Sequence, residues 1–456
     1  MASCFSMARV FLAFLVVSSS LGHVFSSPLL SDSGDRQRAN HTKEIQKLKL
    51  RRINAYLNKI NKPAFKTIQA SSFSANYCAS LGFFPSAACV NYMACQKPHF
   101  VQEDPPERPN GYKYTEAVAE SESFQLWADS GESCPEGTVP IRRTRQKDIQ
   151  RASSITRYGR RRVRRDSTGS GHEHAVAFEK GDEYYGAKAS LNVWAPRVSN
   201  EYEFSLSQIW IISCSFGNDL NTIEAGWQAC PWPKLLLLSV ISSMAYMNNY
   251  HIHSCFFRLA LNCMEIITLG SSHTGLLNLQ TDAYRATGCY NLLCSGFIQT
   301  NNKVAIGAAI SPTSSYNGRQ FEIGLMVWKD PKHGNWWLEL GSGILVGYWP
   351  AILFSHLRSH ANMIQFGGEI VNSRSSSSGL HTSTQMGSGH FAQQGFGKAA
   401  YFRNLQRVDW DNNLLPMTNL RLLADHSNCY DITQGRNNLW GTYFYYGGPG
   451  RNVRCP

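Results

Sequence analysis

The amino-acid sequence predicts an all-β fold, an antiparallel β-sandwich, with a small helix-containing part in front of it. From about Gly171 onwards, short segments rich in aromatic and β-branched residues recur between clusters of Gly, Pro, Asn and Ser. Most of them follow one another without a helical pattern between them, which argues against a doubly wound α/β fold. The nine predicted strands are Ala189–Trp194, Phe204–Ile212, Lys303–Ile310, Phe321–Trp328, Trp336–Leu340, Ile344–Trp349, Gln365–Val371, Ala400–Phe402 and Thr442–Tyr446.

Length and composition allow more than one domain. A chain of 456 residues corresponds to two or three domains. With 43% hydrophobic and only 17% charged residues, a chain that is disordered throughout is excluded. In residues 43–65, hydrophobic side chains recur three to five positions apart between charged ones, which predicts one amphipathic helix that ends near Pro63.

The amino terminus has the organisation of a secretory signal peptide, which we place at residues 1–27. Arg9 precedes the apolar run Val10–Val17, and small residues follow as far as Pro28. We therefore expect a secreted, extracellular or vacuolar protein, with Asn40 as a glycosylation site in an Asn-His-Thr sequon. A later apolar run of 13 residues is too short to cross a bilayer, so no membrane span is predicted.

The net charge of +12 is concentrated in one segment. Arg142–Arg165 contains 11 basic residues and one acidic residue, which gives +10 and leaves +2 for the rest of the chain. Two interpretations are open, a basic tail for an anionic partner and an exposed, protease-accessible connector. We favour the connector and expect no nucleic-acid partner.

The cysteines are interpreted as disulfide partners. The chain has 13, of which Cys4 lies in the predicted signal peptide. In an oxidising compartment, Cys289 with Cys294 closes a short loop, and Cys429 with Cys455 holds the carboxyl terminus. Zinc is the alternative, but the spacing lacks a second Cys or His pair nearby.

Residues 230–275 interrupt the strand pattern with a long apolar run and little turn chemistry after its opening prolines. This segment is either a real insertion or a retained intron translated in a gene model, and we favour the intron.

Few motifs carry recognisable chemistry. Serine-hydrolase, HExxH and phosphate-loop motifs are absent, and no cofactor is expected. His172 and His174 offer two imidazoles on one face of a strand, but without an obvious third ligand we interpret them as ordinary strand residues and predict no metal site. The aromatic clusters Trp336–Trp337 and Trp440–Tyr446 are interpreted as core, with sugar or base stacking as the alternative.

Two glutamates have unusual neighbours. Glu224 and Glu369 each lie beside small residues, which let a substrate backbone approach, and near aromatic residues that exclude water. If strands bring them together, burial and mutual repulsion leave one carboxyl group ionised and the other protonated. Such a pair activates water and protonates a leaving group. The alternative is that each is a solvated strand residue.

Several long sequence runs, in this order, closely resemble the plant neprosin family. They are GAKASLNVW (186–194), FSLSQIWIIS (204–213), DLNTIEAGWQ (219–228), TDAYRATGCYNLLCSGFIQTN (281–301), WKDPKHGNWWLELG (328–341), GYWP (347–350), GGEIVNS (367–373), HTSTQMGSGHF (381–391) and GTYFYYGGPG (441–450). The front part resembles that family's activation peptide, most clearly in CPEGT (134–138) and IRRT (141–144).

The resemblance implies a glutamic endopeptidase that is made as a zymogen and cleaves after proline in acid. The implied fold is a sandwich of two antiparallel sheets with the catalytic glutamates in its cleft. The family's catalytic glutamates correspond to Glu224 and Glu369, and its two disulfides to the cysteine pairs named above. Gln228 or Gln385 is a candidate for stabilising the carbonyl oxygen. The expected partners are proline-containing peptides or proteins.

The resemblance also implies a domain organisation. The activation peptide is expected at residues 28–141, the basic linker at 142–170 and the catalytic domain at 171–456. Residues 230–275 and 69–95 depart from the family pattern. The rival function is a non-catalytic secreted β-sandwich that binds cell-wall carbohydrate or protein, and a third possibility is an inactive product of a faulty gene model.

A first prediction concerns processing. The exposed basic connector predicts that proteolysis between about Arg142 and Gly171 separates the front part from the β domain. Amino-terminal sequencing of the mature protein is expected to give a start within this range. A mature start before Arg142 would contradict the prediction.

Overall fold

The computed structural model divides the chain into two compact units, residues 1–56 and 57–456. It describes residues 32–69, 92–98, 104–112, 125, 127–128, 131–150, 155, 158, 171–200, 202–213, 220–229, 264–271, 288–290, 292, 296–341, 343–373 and 379–456. The predicted signal peptide lies outside these ranges. Among the described residues, no helix is both long and apolar enough to span a membrane.

Helix α1 (Asp32–Ile60) is the predicted front helix, and it begins eleven residues earlier than the sequence pattern predicted. Asn40, the proposed glycosylation site, lies within it. Beyond the helix, a small antiparallel sheet joins β1 (Lys66–Gln69), β2 (Tyr92–Gln96) and β3 (Val139–Arg142). The short helix α2 (Gln146–Gln150) follows.

A disulfide between Cys95 and Cys134 ties strand β2 to the segment that precedes β3. Cys95 and Cys134 are not among the cysteine pairs predicted from the sequence. A small apolar cluster around this disulfide includes Trp127 and reaches Ala305 and Ala308 of the β domain. The disulfide therefore belongs to the packing of the front part against that domain.

The β domain is a sandwich of two antiparallel sheets, as the sequence predicted. The first sheet has seven strands in the order β18-β4-β14-β6-β7-β8-β9. Its strands are β4 (His172–Tyr184), β6 (Ser205–Ser213), β7 (Asn221–Ala229), β8 (Met264–Ser271), β9 (Gly288–Tyr290), β14 (Ala361–Val371) and β18 (Arg421–Ala424).

The second sheet has ten strands, with the main order β10-β13-β12-β11-β5-β16-β20-β15. Strand β17 adds to β16, and β19 adds to β20. Its strands are β5 (Gly186–Asn192), β10 (Ile298–Gln299), β11 (Glu322–Lys329), β12 (Trp336–Leu340), β13 (Ile344–Trp349), β15 (Met386–Gly387), β16 (Ala400–Val408), β17 (Leu414–Pro416), β19 (Asp431–Asn437) and β20 (Gly441–Gly448). Two short 3₁₀ helices, Ala351–Leu353 and Ala392–Gln394, lie between these strands.

The main hydrophobic core lies between the two sheets. Aromatic residues dominate it: Phe366 and Trp227 face inward from the seven-stranded sheet, and Phe402 and Phe444 from the ten-stranded sheet. The rings of Phe402 and Phe444 stack with centroids 5.1 Å apart. Large aromatic side chains bury much apolar area, which explains why short, irregular strands suffice for this fold.

Residues 104–112, in the front part of the chain that precedes the β domain, pack on the outer face of the ten-stranded sheet. Arg108 Nε donates to the buried carboxylate of Glu339 at 2.9 Å, and the Trp328 indole donates to the Glu107 carbonyl at 2.9 Å. The Tyr112 ring packs against the Lys188 ammonium, 4.4 Å from its centroid. These contacts place residues 104–112 on the side of that sheet away from the main core.

Most predicted strands match observed ones, with one error. Lys303–Ile310 is not a strand but a buried turn-containing segment, and Ala305 in it exchanges two hydrogen bonds of 2.8 Å with the Gln125 side chain. Packing against the front part thus explains its apolar character. Strands β4 and β7 are not among the nine predicted strands, because charged or polar residues break their apolar pattern, although His172, His174 and Glu224 were each interpreted as strand residues.

Strand β8 lies within the segment 230–275 that the sequence analysis set apart. It pairs with β7 over Met264–Gly270 and with β9. The rest of that segment, apart from Ser271, lies outside the described residues. Part of the suspected insertion is therefore integrated in the seven-stranded sheet.

A prediction follows from the close approach of β14 and β4. Gly367 has a φ of +146°, and a Cβ there would lie 2.3 Å from the Ala175 carbonyl oxygen. Gly367→Ala is expected to destabilise the protein by about 1–3 kcal/mol or more, because strained backbone and a backbone clash add. Thermal unfolding should show a midpoint lower by several degrees, at about 2–4 °C per kcal/mol.

The matched control is Gly324→Ala in strand β11, where a Cβ would meet its nearest atom at 3.4 Å and φ is not positive. It should shift the midpoint much less. Equal shifts for both variants would contradict the proposed origin of the effect.

Candidate active site

The two glutamates singled out by sequence lie on the outer face of the seven-stranded sheet. Side chains alternate between faces along a strand, and residues directly opposite on paired strands share a face. Phe366 and its partner Ile209 point into the main core. Glu369 lies three positions from Phe366 and is paired with Leu206, so both point outward. The expected cleft is thus the outer face of one sheet and not the space between sheets.

Two parallel rows of paired residues carry the glutamates across this face. The rows are His174–Glu369–Leu206–Gln228 and Gln365–Trp210–Glu224. Both glutamates are 0% exposed in the full-length chain. Two carboxyl groups are therefore buried on one face of one sheet, on strands separated only by β6.

Glu369 lies against the two histidines of strand β4. Its Oε1 is 2.5 Å from His172 Nδ1 and 3.8 Å from His174 Nε2. His174 Nδ1 lies 2.8 Å from Asp425 Oδ2, and the His174 backbone N–H donates to the same oxygen at 2.9 Å. Burial by itself raises the pKa of Asp425, but the hydrogen bonds and charge of His174 outweigh it and lower that pKa.

The two imidazoles therefore do share one face, as the sequence predicted, but they are not ordinary strand residues. Both imidazoles approach the Glu369 carboxylate, and His174 also contacts Asp425. The alternation in His-Glu-His was the only sequence signal of this arrangement.

Glu224 has a less polar setting. The Thr222 hydroxyl donates to Glu224 Oε1 at 3.2 Å. Its row neighbour on β6 is Trp210, which is fully buried in a small apolar cluster with Leu206 and Ile212.

The glutamates lie two strands and four residue positions apart, so they do not contact each other directly. With about 3.3 Å per residue and about 4.8 Å between strands, their Cα atoms are about 16 Å apart. In the contacts described above, the Glu369 carboxylate approaches the histidines of β4 and the Glu224 carboxyl group approaches Thr222, so neither contact lies between the two glutamates.

The glutamine candidates from the sequence have different positions. Gln228 lies in the row of Glu369 and shares its face. Gln385 lies elsewhere, where its Oε1 accepts from the Arg197 backbone N–H at 2.9 Å. Sequence reasoning missed Gln208, which lies on β6 midway between the two rows. A single glutamine in an apolar strand gives no motif by which to find it.

A second polar cluster surrounds Glu173, which faces inward from strand β4. His381 Nε2 is 2.9 Å from Glu173 Oε2, and His426 Nδ1 is 3.0 Å from the same oxygen. These three side chains place one ligand atom each within 4.8 Å of one another, so the geometry permits a metal ion. Their mutual hydrogen bonds account for the arrangement without one.

One predicted disulfide lies within the described residues. Cys429 and Cys455 are joined, with Cα atoms 5.4 Å apart, which fastens the carboxyl terminus to the loop before β19. Cys294 lies outside the described residues, so the other predicted pair is not addressed by the structure.

Family models match two parts of the chain. A model described as Neprosin matches residues 268–449. A model described as Neprosin activation peptide matches residues 94–178, which extends into strand β4. Glu369 lies within the first range, whereas Glu224 lies in neither.

The chain is also similar to solved structures of peptidases, at low identity. Scytalido-glutamic peptidase with a peptide-based transition-state analogue has 10% identity and a TM-score of 0.30, covering 62% of this chain and 100% of that one. SCP-B, a member of the eqolisin family of peptidases in complex with the tripeptide Ala-Ile-His, has 9% identity and a TM-score of 0.29, covering 61% and 98%.

A prediction concerns the Glu173–His381 pair. Burial alone raises the pKa of Glu173, but the hydrogen bond and charge of His381 lower it below its ordinary 4.5. Burial alone lowers the pKa of His381, but Glu173 raises it above its ordinary 6.5. The Glu173 contribution to stability is lost as pH falls through its lowered pKa. The His381 contribution is lost as pH rises through its raised pKa.

His381→Gln is therefore expected to destabilise the protein most between about pH 4.5 and 6.5, by about 0.5–1.5 kcal/mol, because Glu173 loses a charged partner but keeps His426 and Asn372. The thermal unfolding midpoints of wild type and variant should differ most in this window and less as pH rises through the raised pKa of His381. A difference that is constant with pH would refute the ion pair as its source.

Proposed function

Since this chain belongs to the neprosin family and carries the family's activation peptide, it is a peptidase made as a zymogen, and we propose that it is a glutamic endopeptidase. In this proposal it hydrolyses peptide bonds after proline at acidic pH, with Glu224 and Glu369 as the catalytic pair. The protein is secreted, in keeping with the signal-peptide pattern of residues 1–27.

The observation that carries the proposal is the pair of fully buried carboxyl groups on one face of the seven-stranded sheet. Ionisable residues are rarely buried on a sheet face unless they are paired or used. Their burial in the full-length chain is the state expected of a zymogen, because substrate reaches them only after the chain opens over them.

The reaction needs one carboxylate and one carboxylic acid. The carboxylate takes a proton from a water molecule while the water oxygen attacks the carbonyl carbon of the peptide bond. The carboxylic acid then gives its proton to the departing nitrogen as the C–N bond breaks. The products are a new carboxyl group and a new amine, and the glutamates have exchanged protonation states.

We assign the base to Glu369 and the acid to Glu224. In acid, protonated His172 and His174 favour the charged form of the carboxylate that lies beside them. Because the reaction needs one carboxylic acid besides this carboxylate, the acid role falls to Glu224. Activity should therefore fall with rising pH, because ionisation of the acid removes the proton that the leaving group needs.

The domain boundaries proposed from sequence remain 28–141 for the activation peptide, 142–170 for the linker and 171–456 for the catalytic domain. We propose one change to the doubtful insertion. Because β8 pairs within the sheet and the Neprosin match begins at residue 268, the insertion is narrowed to 230–263.

The proposal predicts the effect of Glu224→Gln and of Glu369→Gln. Each variant keeps the size of the side chain but removes the acid–base group, so each should lower the cleavage rate by at least about 100-fold. The measurement is cleavage of a peptide with a single proline, after acid treatment of the full-length chain, with products identified by mass spectrometry.

The matched control is Glu322→Gln. Glu322 is a half-buried glutamate of the other sheet, where it accepts from Arg403 Nε at 2.8 Å and from the Tyr401 hydroxyl at 3.2 Å. This variant should cleave at the wild-type rate. Retained cleavage in both catalytic-pair variants, or cleavage at bonds that do not follow proline, would refute the corresponding part of the proposal.

A further inference from the structure

Gln208 is a buried amide that the surrounding protein does not satisfy. It is 0% exposed, and neither its Nε2 nor its Oε1 has a hydrogen-bond partner within the described part of the chain. Leaving a buried polar group unpaired is unfavourable for folding, so native proteins keep such groups rarely. In Gln299 the amide nitrogen does donate, to the carbonyl oxygens of Val304 at 2.7 Å and Pro140 at 3.1 Å, so only its Oε1 has no partner among the described residues.

Other unsatisfied groups lie on the same sheet face. Trp210 Nε1 and Gln228 Oε1 are also buried without a hydrogen-bond partner among the described residues. Both residues share the outward direction of Gln208, as the strand pairing shows. Three unpaired polar side chains on one face indicate a surface built to hydrogen-bond something other than the protein itself.

The sheet is shaped to keep the space beside Gln208 free of side chains. Its partner on β14 is Gly367, and its partner on β7 is Gly226. A Cβ at position 226 would lie 2.8 Å from Gln208 Cγ, so the glutamine side chain already occupies the space over that glycine. Gln208 therefore leans from β6 toward the strand of Glu224, and its paired residue on each neighbouring strand is a glycine.

Gln208 lies midway between the two glutamates on the sheet face. Glu369 lies one strand away and two positions along in one direction, and Glu224 lies one strand away and two positions along in the other. Gln208 is thus the midpoint of the line that joins them. A carboxylate, an attacking water, a carbonyl group and a carboxylic acid in line span about 9–10 Å, which is less than the distance of about 16 Å between the Cα atoms of the two glutamates, so these groups fit between them. The carbonyl group of a bound substrate would lie over Gln208.

We propose that Gln208 is a third catalytic residue, whose Nε2 donates a hydrogen bond to the oxygen of the carbonyl group under attack. This inference rests on the proposed function of the glutamate pair. When water attacks, the C=O π electrons move to this oxygen, and a fixed amide donor stabilises the charge that develops there. With one glutamate taking the water proton and the other protonating the nitrogen, the oxygen needs a donor of its own.

The test uses Gln208→Leu in the full-length chain. Leucine matches the apolar surroundings and removes both unpaired polar atoms, so the unfolding midpoint should stay the same or rise by about 2 °C or more. The kcat for a single-proline peptide should fall by about 100- to 1,000-fold with KM changed less than about threefold. A catalytic donor thus predicts opposite effects on stability and on kcat.

Gln208→Glu separates the donor from the shape of the side chain. A carboxylic acid donates a hydrogen bond, but a carboxylate only accepts. This variant should therefore recover activity toward low pH and lose it more steeply than wild type as pH rises. The matched control is Gln320→Ala, which truncates a glutamine whose amide donates to Ser315 and Gly318 in a turn and should leave kcat unchanged.

The outcomes distinguish this inference from the proposed function. If Gln208→Leu keeps the wild-type kcat, or raises only KM, the donor role is overturned whatever the glutamates do. If Glu224→Gln and Glu369→Gln stay active while Gln208→Leu has a lowered kcat, the proposed role of the glutamate pair is wrong and Gln208 remains a catalytic residue. A Gln208→Leu variant that unfolds at a much lower temperature would show that the amide is structural and would also overturn the inference.

Discussion

The pairing register of β14, β6 and β7 is the constraint on which the rest of this structure depends. Because side chains alternate with a period of two, this register decides together which residues enter the core and which face outward. A slip of one residue would turn Glu369 into the aromatic core and Phe366 out of it. The same register that buries Phe366 and Trp227 therefore aligns Glu369, Gln208 and Glu224 on one diagonal.

The two faces of the seven-stranded sheet have opposite energetic roles. The inner face packs aromatic and aliphatic side chains against the second sheet, and this burial stabilises the fold. The outer face carries buried polar groups that have no hydrogen-bond partner among the described residues, and each such group opposes folding. Polar groups that lower the stability of the fold in this way are typical of sites that bind a substrate. The core offsets that loss.

Sequence reasoning predicted the sandwich, because aromatic strands leave a local pattern, and it singled out Glu224 and Glu369 from the small residues beside them. It failed where the cause was tertiary. Lys303–Ile310 is apolar because it packs against the front part, although it forms no strand. Cys95 gave no signal for its partner Cys134, since a disulfide depends on distance in space. Gln208 is singled out by its place between the two glutamates and by its two glycine neighbours, and all four of these residues lie on other strands.

The described contacts of the front part bear on how the chain is kept inactive. Residues 104–112 lie on the ten-stranded sheet, where Arg108 neutralises the buried Glu339. The candidate catalytic residues lie on the outward face of the other sheet, and the main core separates the two regions. Within the described part of the chain, these contacts hold the front part in place but do not cover the glutamates. Among the described residues, the activation peptide is therefore anchored on a different sheet from the one that carries the candidate catalytic residues.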